Sequence, residues 1–383
     1  MSVLLSRRTR VVFCRLTAAA AFLFASAVYG PVFCEDWPMF LKDPAHTSSA
    51  AKFPQTPLSP KWAYKTDGPL YSSPVVSGGR VYIGSYDRKL HALDASKGSA
   101  LWTFKTEGEV LSTPAVSAGK VYFGSKDGYV YALDAVAGSL SWKFKTMDAV
   151  LTSPVAAEGL VFIASNDTYI YALDQNSGKL IWKAKLADYK YSGVYSSPAY
   201  SNGSVYIAGK NAMIYSFSAK SGGRNWFKRV GSSIYSSPVI SDDVLYFSSF
   251  DRYIYAVGAT DGKHIWKKRL DAVPYASPVA IGDGVYQGLK DGYFKGFNKK
   301  TGEKKNTFKF PGQINAGIVA SLDGKAFVSS DDGNVYLLNT LTGDILWKHK
   351  AGAGIHSTPA LANNTLYIGS KDGVLYALTS GGK

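Results

Sequence analysis

The chain has 383 residues, 46% hydrophobic and 14% aromatic, with 43 lysines and arginines against 28 aspartates and glutamates, a formal net charge of +15. That length allows a large buried core, and an abundance of Gly (38) and Tyr (26) beside only 4 Met favours many short strands over long helices. Lysine is spread along the chain without a basic run, which argues against nucleic acid and leaves anionic membrane surfaces or acidic proteins as partners.

The N-terminus reads as an export signal: Arg7, Arg8, Arg10 and Arg15 precede an apolar stretch, Leu16 to Val28, too short to span a bilayer comfortably. Ala25-Ser26-Ala27 supplies small residues for cleavage, so residues 1–27 are expected to be removed, with cuts up to Cys34 also compatible. Cys14 and Cys34 are the two cysteines, and losing Cys14 with the signal leaves no pair for an internal disulfide. Cys34 is also where a lipid anchor would sit, but Pro31-Val32-Phe33 is a poor lipidation context.

After a lead-in segment, residues 28–59, the sequence repeats. Ser72-Ser73-Pro74 returns as Ser112-Thr113-Pro114, Thr152-Ser153-Pro154, Ser196-Ser197-Pro198, Ser236-Ser237-Pro238, Ala276-Ser277-Pro278 and Ser357-Thr358-Pro359, with Ala316-Gly317-Ile318 as a weakened eighth copy. The spacing is close to forty residues. Each unit carries four strand signals, in the second unit Leu111 to Val116, Lys120 to Gly124, Tyr129 to Leu133 and Leu140 to Lys145, separated by glycine-bearing turns. One unit is then one blade, and the fold class is all-β: an eight-bladed β-propeller of four-stranded antiparallel blades over residues 60–383.

The last unit stops near Leu378-Thr379 without a fourth strand, while Lys61 to Thr66 precedes the first unit as an orphan. Pairing the two completes the last blade and closes the ring, removing an exposed edge. A monomer of one cooperative domain is expected.

Units also share Ala-Leu-Asp, then Gly, then Trp, as in Ala92-Leu93-Asp94, Gly98 and Trp102. Trp62, Trp142, Trp182, Trp226, Trp266 and Trp347 continue the series, and Asn306 stands where the eighth Trp is expected. The Asp can accept turn N–H bonds, the Gly permits the turn, and the Trp offers a broad face to a neighbouring blade. This pattern resembles the tryptophan-docking repeat of pyrroloquinoline-quinone (PQQ) propellers, and the segment Asp36 to Phe40 resembles the lead-in of bacterial proteins of that type. Among them the chain looks most like the BamB family of outer-membrane protein assembly factors. That resemblance implies a non-enzymatic scaffold in the periplasm or at the outer-membrane periphery, without a cofactor, holding a protein partner such as the outer-membrane barrel insertase.

Two alternatives stay open: a PQQ-binding or dehydrogenase-like module holding the quinone with calcium, and a secreted sensor or adhesion propeller. Quinone enzymes resemble one another in a catalytic Asp, calcium ligands and usually an adjacent Cys-Cys pair, which this chain lacks. Asp87, Asp127, Asp167, Asp251, Asp291, Asp331 and Asp372 recur in the same turn of their units and read as turn chemistry, not a metal site. The five histidines show no zinc spacing.

Departures from the repeat mark candidate contacts. Four additional positions lengthen the connection from blade three to blade four around Asp188, Tyr189, Lys190 and Tyr191, the candidate partner-binding loop. Tyr71, Tyr195, Tyr235, Tyr275 and His356, with Leu111, Leu151 and Asn315, begin the innermost strands and are expected to ring one mouth of the central channel. The weakened features of blades six and seven, Asn306 and Ala316 to Ile318, are expected to reflect relaxed packing.

Overall fold

Each forty-residue unit folds as one antiparallel sheet; in the second, strands Ala115–Ser117, Lys120–Gly124, Tyr129–Asp134 and Leu140–Lys145 pair in sequence order. The computed structural model describes residues 36–50, 53–186 and 193–381. The expected signal over 1–27, Cys34 and the loop Asp188 to Tyr191 lie outside them. Eight such sheets form the propeller, with the innermost strands of neighbouring blades side by side from blade eight round to blade seven. The innermost strand is shorter than expected, because residues 111–114 run along the channel wall before pairing begins at Ala115.

The burial pattern follows from this stacking. Second and third strands are covered on both faces by adjacent blades, so Val121, Tyr122 and Phe123 are all fully buried, whereas the fourth strands alternate exposed and half-buried positions. In each blade that carries the Trp, the pairing slips by one residue just before it: Leu133 pairs with Leu140 but Ala132 with Trp142. This bulge re-aims the indole at the next blade.

There the Trp meets the glycine. A β-carbon on Gly138 would lie 2.5 Å from the Trp102 ring and one on Gly178 2.6 Å from Trp142, and both glycines have positive φ, so only glycine fits on both counts. The same indoles donate Nε1–H to a backbone carbonyl of the following blade, Trp142 to Gln175 (3.2 Å), Trp182 to Ala219 (2.7 Å) and Trp266 to Lys299 (3.0 Å). A buried tyrosine of the Trp's own blade often shares that acceptor: Tyr122 also donates to Gln175 O and Tyr246 to Lys299 O. Trp102 Nε1 is the exception, buried without a partner among the described residues.

Ring closure follows the sequence expectation. Leu58–Lys65 pairs antiparallel with Val374–Ser380, placing Trp62 opposite Ala377, and Trp347 reaches Leu58 O at 3.2 Å. The eighth blade is thus made from strands far apart in sequence. Opening the ring requires breaking a full strand pairing as well as blade contacts, a cooperative event.

A second belt lies nearer the axis. The N–H of Ser73 donates to Thr113 Oγ1, Thr113 to Ser153, Ser153 to Ser197, Ser197 to Ser237 and Ser237 to Ser277, all at 2.9–3.0 Å. Beyond one gap, Gly317 donates to Thr358 and Thr358 back to Ser73. The recurring Ser-Ser-Pro phrase therefore links each blade to the next by a buried hydrogen bond, and Gly317 breaks the belt because it has no hydroxyl to offer Ser277.

Candidate functional site: a plugged channel and its aromatic mouth

The lead-in segment closes one end of the channel. Trp37 bridges Val76 of blade one, Pro38 O accepts from Val116 of blade two, Pro44 O from Tyr200 of blade four, and Ala45 O from Ile240 of blade five. Ser49–Ala50 then runs parallel beside Ile318–Ser321 of blade seven, and Ser48 Oγ donates to Ile318 O. One short segment thereby ties five blades, satisfying backbone groups on the inner edges of the innermost strands. Phe40 reaches the channel interior, and Leu41 is buried against blade seven.

The Gly317 departure has a packing reason. A β-carbon there would lie 2.5 Å from Thr358 Oγ1 and 2.8 Å from Leu41 Cδ2. The weakened repeat at Ala316 to Ile318 is therefore not relaxed packing, as the sequence suggested, but the seat of the plug. Asn306 is likewise engaged: its Nδ2 donates to Thr340 O at 2.7 Å and Leu341 O at 3.1 Å, replacing the hydrogen bond of the missing indole, while Phe308 takes the ring's place over Gly343.

The other end of the channel is open. Tyr71, Leu111, Leu151, Tyr195, Tyr235, Tyr275, Asn315 and His356 line the wall one tier above the Ser/Thr belt, one from each blade. A cavity of about 490 Å³ opens on one side, bordered by Tyr195, Tyr235, Tyr275, Lys290, Gln313, Asn315 and His356. Of the five mouth residues singled out from sequence, Tyr195, Tyr235, Tyr275 and His356 share this cavity; Tyr71 lies beside it, edge-on to His356 at 5.4 Å.

The rings form an arc. Tyr195 stacks on Tyr235 at 5.2 Å between centroids, Phe250 stacks on Tyr235 at 4.4 Å, and Tyr275 meets Phe250 edge-on at 4.8 Å. Burial pushes the Tyr235 phenol up, and the neighbouring phenols of Tyr195 and Tyr275 add to it. Phe250 belongs to an outer tier that sequence reasoning missed. It is the residue just before the turn aspartate in each blade: Tyr86, Lys126, Asn166, Phe250, Lys290 and Lys371 among them. Lys126 lies over Tyr86, Lys210 over Tyr195 and Lys290 over Tyr275 at 5.1–6.0 Å. Forty-residue spacing of these positions was the available signal.

Asp331 belongs to that tier too, which corrects its assignment from sequence. In blade seven the turn is capped by Asp332, which accepts from Asn334 N at 2.8 Å and from the Tyr336 hydroxyl, just as Asp127 accepts from Tyr129 N and Tyr131. Blade seven has two successive aspartates, and the second aligns with the others. Asp331 instead faces the mouth, bonded to His356 Nε2 (2.9 Å) and Lys371 Nζ (2.8 Å). Although burial opposes it, Lys371 and His356 hold this carboxyl below its usual range. Burial also holds His356 below its usual value against the pull of Asp331, so at neutral pH the ion pair is Asp331 with Lys371 and His356 donates as a neutral ring.

The remaining turn aspartates direct their oxygens to turn N–H groups and, in several blades, to a tyrosine hydroxyl, as Asp167 does with Tyr169 N, Met147 N and Tyr171, while Asp87 pairs with His91 Nε2 at 2.9 Å. Among the described residues no group of three His, Cys, Asp or Glu side chains is placed to hold a metal ion.

The family model of the outer membrane protein assembly factor BamB matches residues 48–268 and 290–382. No curated protein matches the chain. Among solved structures, BamB from Moraxella catarrhalis superposes with a TM-score of 0.73 at 21% identity, covering 84% of this chain and 100% of that one. A quinohemoprotein alcohol dehydrogenase from Comamonas testosteroni gives 0.77 at 17% identity over 91% of this chain and 81% of its own, and one from Pseudomonas putida HK5 gives 0.78 at 15% over the same shares. At such identities these neighbours share the fold, and the family assignment rests on the match along the sequence. The chain belongs to the outer membrane protein assembly factor BamB family.

Proposed function

We propose that this chain is a non-enzymatic scaffold of the bacterial envelope that holds a protein partner through one rim of the propeller and assists outer-membrane β-barrel assembly. The family match over most of the chain carries this reading. The fold suits such a role, because a ring closed by strand pairing, belted by hydroxyls and plugged at one end is a rigid platform whose inter-blade loops vary without disturbing the core. The partner in view is the outer-membrane barrel insertase. The candidate contact is the lengthened loop Asp188 to Tyr191, which precedes Tyr195 of the aromatic mouth in the chain. The positive net charge favours a partner or membrane surface of negative potential, with the exported chain at the outer-membrane periphery. The quinone alternative is weakened by the side chains, since Asp331, the aspartate facing the mouth, is already engaged by Lys371 and His356.

Replacing Tyr189, Lys190 and Tyr191 together with Ala tests the loop. The purified variant is expected to keep the melting temperature of the parent and to lose most of its binding to the solubilised insertase. Unchanged binding would remove this loop from the interface.

A further inference from the structure

We infer that the open mouth of the channel is a binding site that takes an acidic segment of polypeptide. The observation is a cavity of about 490 Å³ on which unpartnered hydrogen-bonding groups converge. The hydroxyls of Tyr195, Tyr235 and Tyr275 make no hydrogen bond to the described residues, and neither Lys290 nor Lys210 forms an ion pair with them; each ammonium lies over a tyrosine ring. Three hydroxyls and a cation facing one space favour an occupant rich in acceptor oxygens and negatively charged.

Asn315 narrows the chemistry. Its Nδ2 donates to Gln313 Oε1 at 3.3 Å, which leaves its Oδ1 buried and without a donor among the described residues. Asn315 borders the cavity, and turning its amide towards that space brings the unmet oxygen within reach of an occupant that carries an N–H or O–H beside its anion. A sulfate dianion brings acceptors alone and leaves Asn315 as it is, and hydrogen phosphate brings one O–H but no apolar stem for the aromatic arc. An acidic residue within a peptide brings both, a side-chain carboxylate for Lys290 and the tyrosine hydroxyls and a backbone N–H for Asn315. The aromatic arc then covers the apolar stem of the same residue or its neighbour.

The blind end of the channel sets the depth. Phe40 stands at the base and the Ser/Thr belt commits its hydroxyls to backbone N–H groups, so a segment can dip into the mouth but not thread the ring. Lys126, Lys210, Lys290 and Lys371, from the same turn of four blades, extend the positive potential around the rim. Glu109 lies 3.7 Å from Lys126 and Asp331 2.8 Å from Lys371, whereas Lys210 and Lys290 form no ion pair among the described residues, and the aspartates that share a pocket with Lys290, Asp291, Asp331 and Asp332, lie outside the lining of the cavity. That charge pattern favours acidic over basic chains by attraction at encounter.

The test uses the exported chain with a fluorescein-labelled octapeptide of alternating glutamate and glycine, its lysine counterpart, and inorganic phosphate as competitor, read by fluorescence anisotropy. The acidic peptide is expected to bind and the basic one not. Lys290→Gln and Asn315→Leu are each expected to weaken binding about tenfold with melting temperatures kept near the parent's. Peptide binding is read without the insertase present, so its failure is distinguishable from failure of the scaffold reading. Equal binding of both peptides, or full binding retained in Lys290→Gln, would overturn the proposal. Displacement by equimolar phosphate together with an inert Asn315→Leu would also overturn it, as a simple anion site.

Discussion

Leu41 and Gly317 occupy one another's space: a β-carbon on the glycine would come within 2.8 Å of the leucine Cδ2. The plug and the seventh blade are fitted to each other at the point where the hydroxyl belt is broken. Gly317→Ala is expected to lower stability by about 1–3 kcal/mol through overpacking. Leu41→Ala in the same chain should recover part of that loss, a coupling that chemical denaturation of the four members of the cycle would measure. Strictly additive losses would mean that the two do not share the space.

The indole wedge and its substitute should differ in strength. Trp182 is buried on Gly222 and donates to Ala219 O, so Trp182→Ala is expected to cost about 3–5 kcal/mol. Asn306 supplies hydrogen bonds without the large apolar face, and Asn306→Ala is expected to cost about 1 kcal/mol. Urea titrations of the two variants compare them directly, and equal costs would contradict the ranking.

The belt gives a nearly isosteric probe. Thr113→Val keeps shape but removes the acceptor for Ser73 N–H, leaving a buried donor unmet at an expected cost of about 1–3 kcal/mol. Amide exchange at Ser73 should accelerate in that variant. Unchanged protection there would show that the hydroxyl is not what holds it.

His46 makes the plug sensitive to acid. It is fully buried in the plug, with Nδ1 2.9 Å from Pro238 O, which can only accept; Nδ1 therefore carries the proton and Nε2 has no partner among the described residues. Burial pushes its pKa from 6.5 down to about 4, against the Pro238 hydrogen bond and the Asp43 charge. A lowered folded-state pKa means that the unfolded chain binds the additional proton between these values, so stability falls as pH drops from 6.5 towards 4. His349 and His356, also held low by burial, act in the same direction. His46→Asn is expected to flatten a plot of melting temperature against pH across that window. An unchanged slope would place the effect elsewhere.

Most of the fold is legible in the sequence because it repeats. A forty-residue period of four strand signals states one blade eight times, seven of them with a docking Trp, and the orphan strand at Lys61 points to the closure found against Val374–Ser380. The plug is not legible, since it occurs once and has no period. Leu41, Lys42, His46 and Ser48 adopt positive φ there without being glycine, a conformation held by contacts with blades that are distant in sequence. The mouth is half legible. Its inner tier just precedes the innermost strands and follows their spacing, whereas Phe250, Lys290 and Asp331 lie in turns dominated by a neighbouring aspartate, and two adjacent aspartates conceal which one caps the turn in blade seven.

Whether this propeller holds the machinery that inserts outer-membrane barrels is tested most directly by affinity purification of the tagged chain from cross-linked, gently solubilised envelopes, followed by mass spectrometry. The expected result is recovery of the barrel insertase, diminished by the triple alanine change at residues 189–191. Its absence, with the bait well expressed and exported, would contradict the scaffold reading.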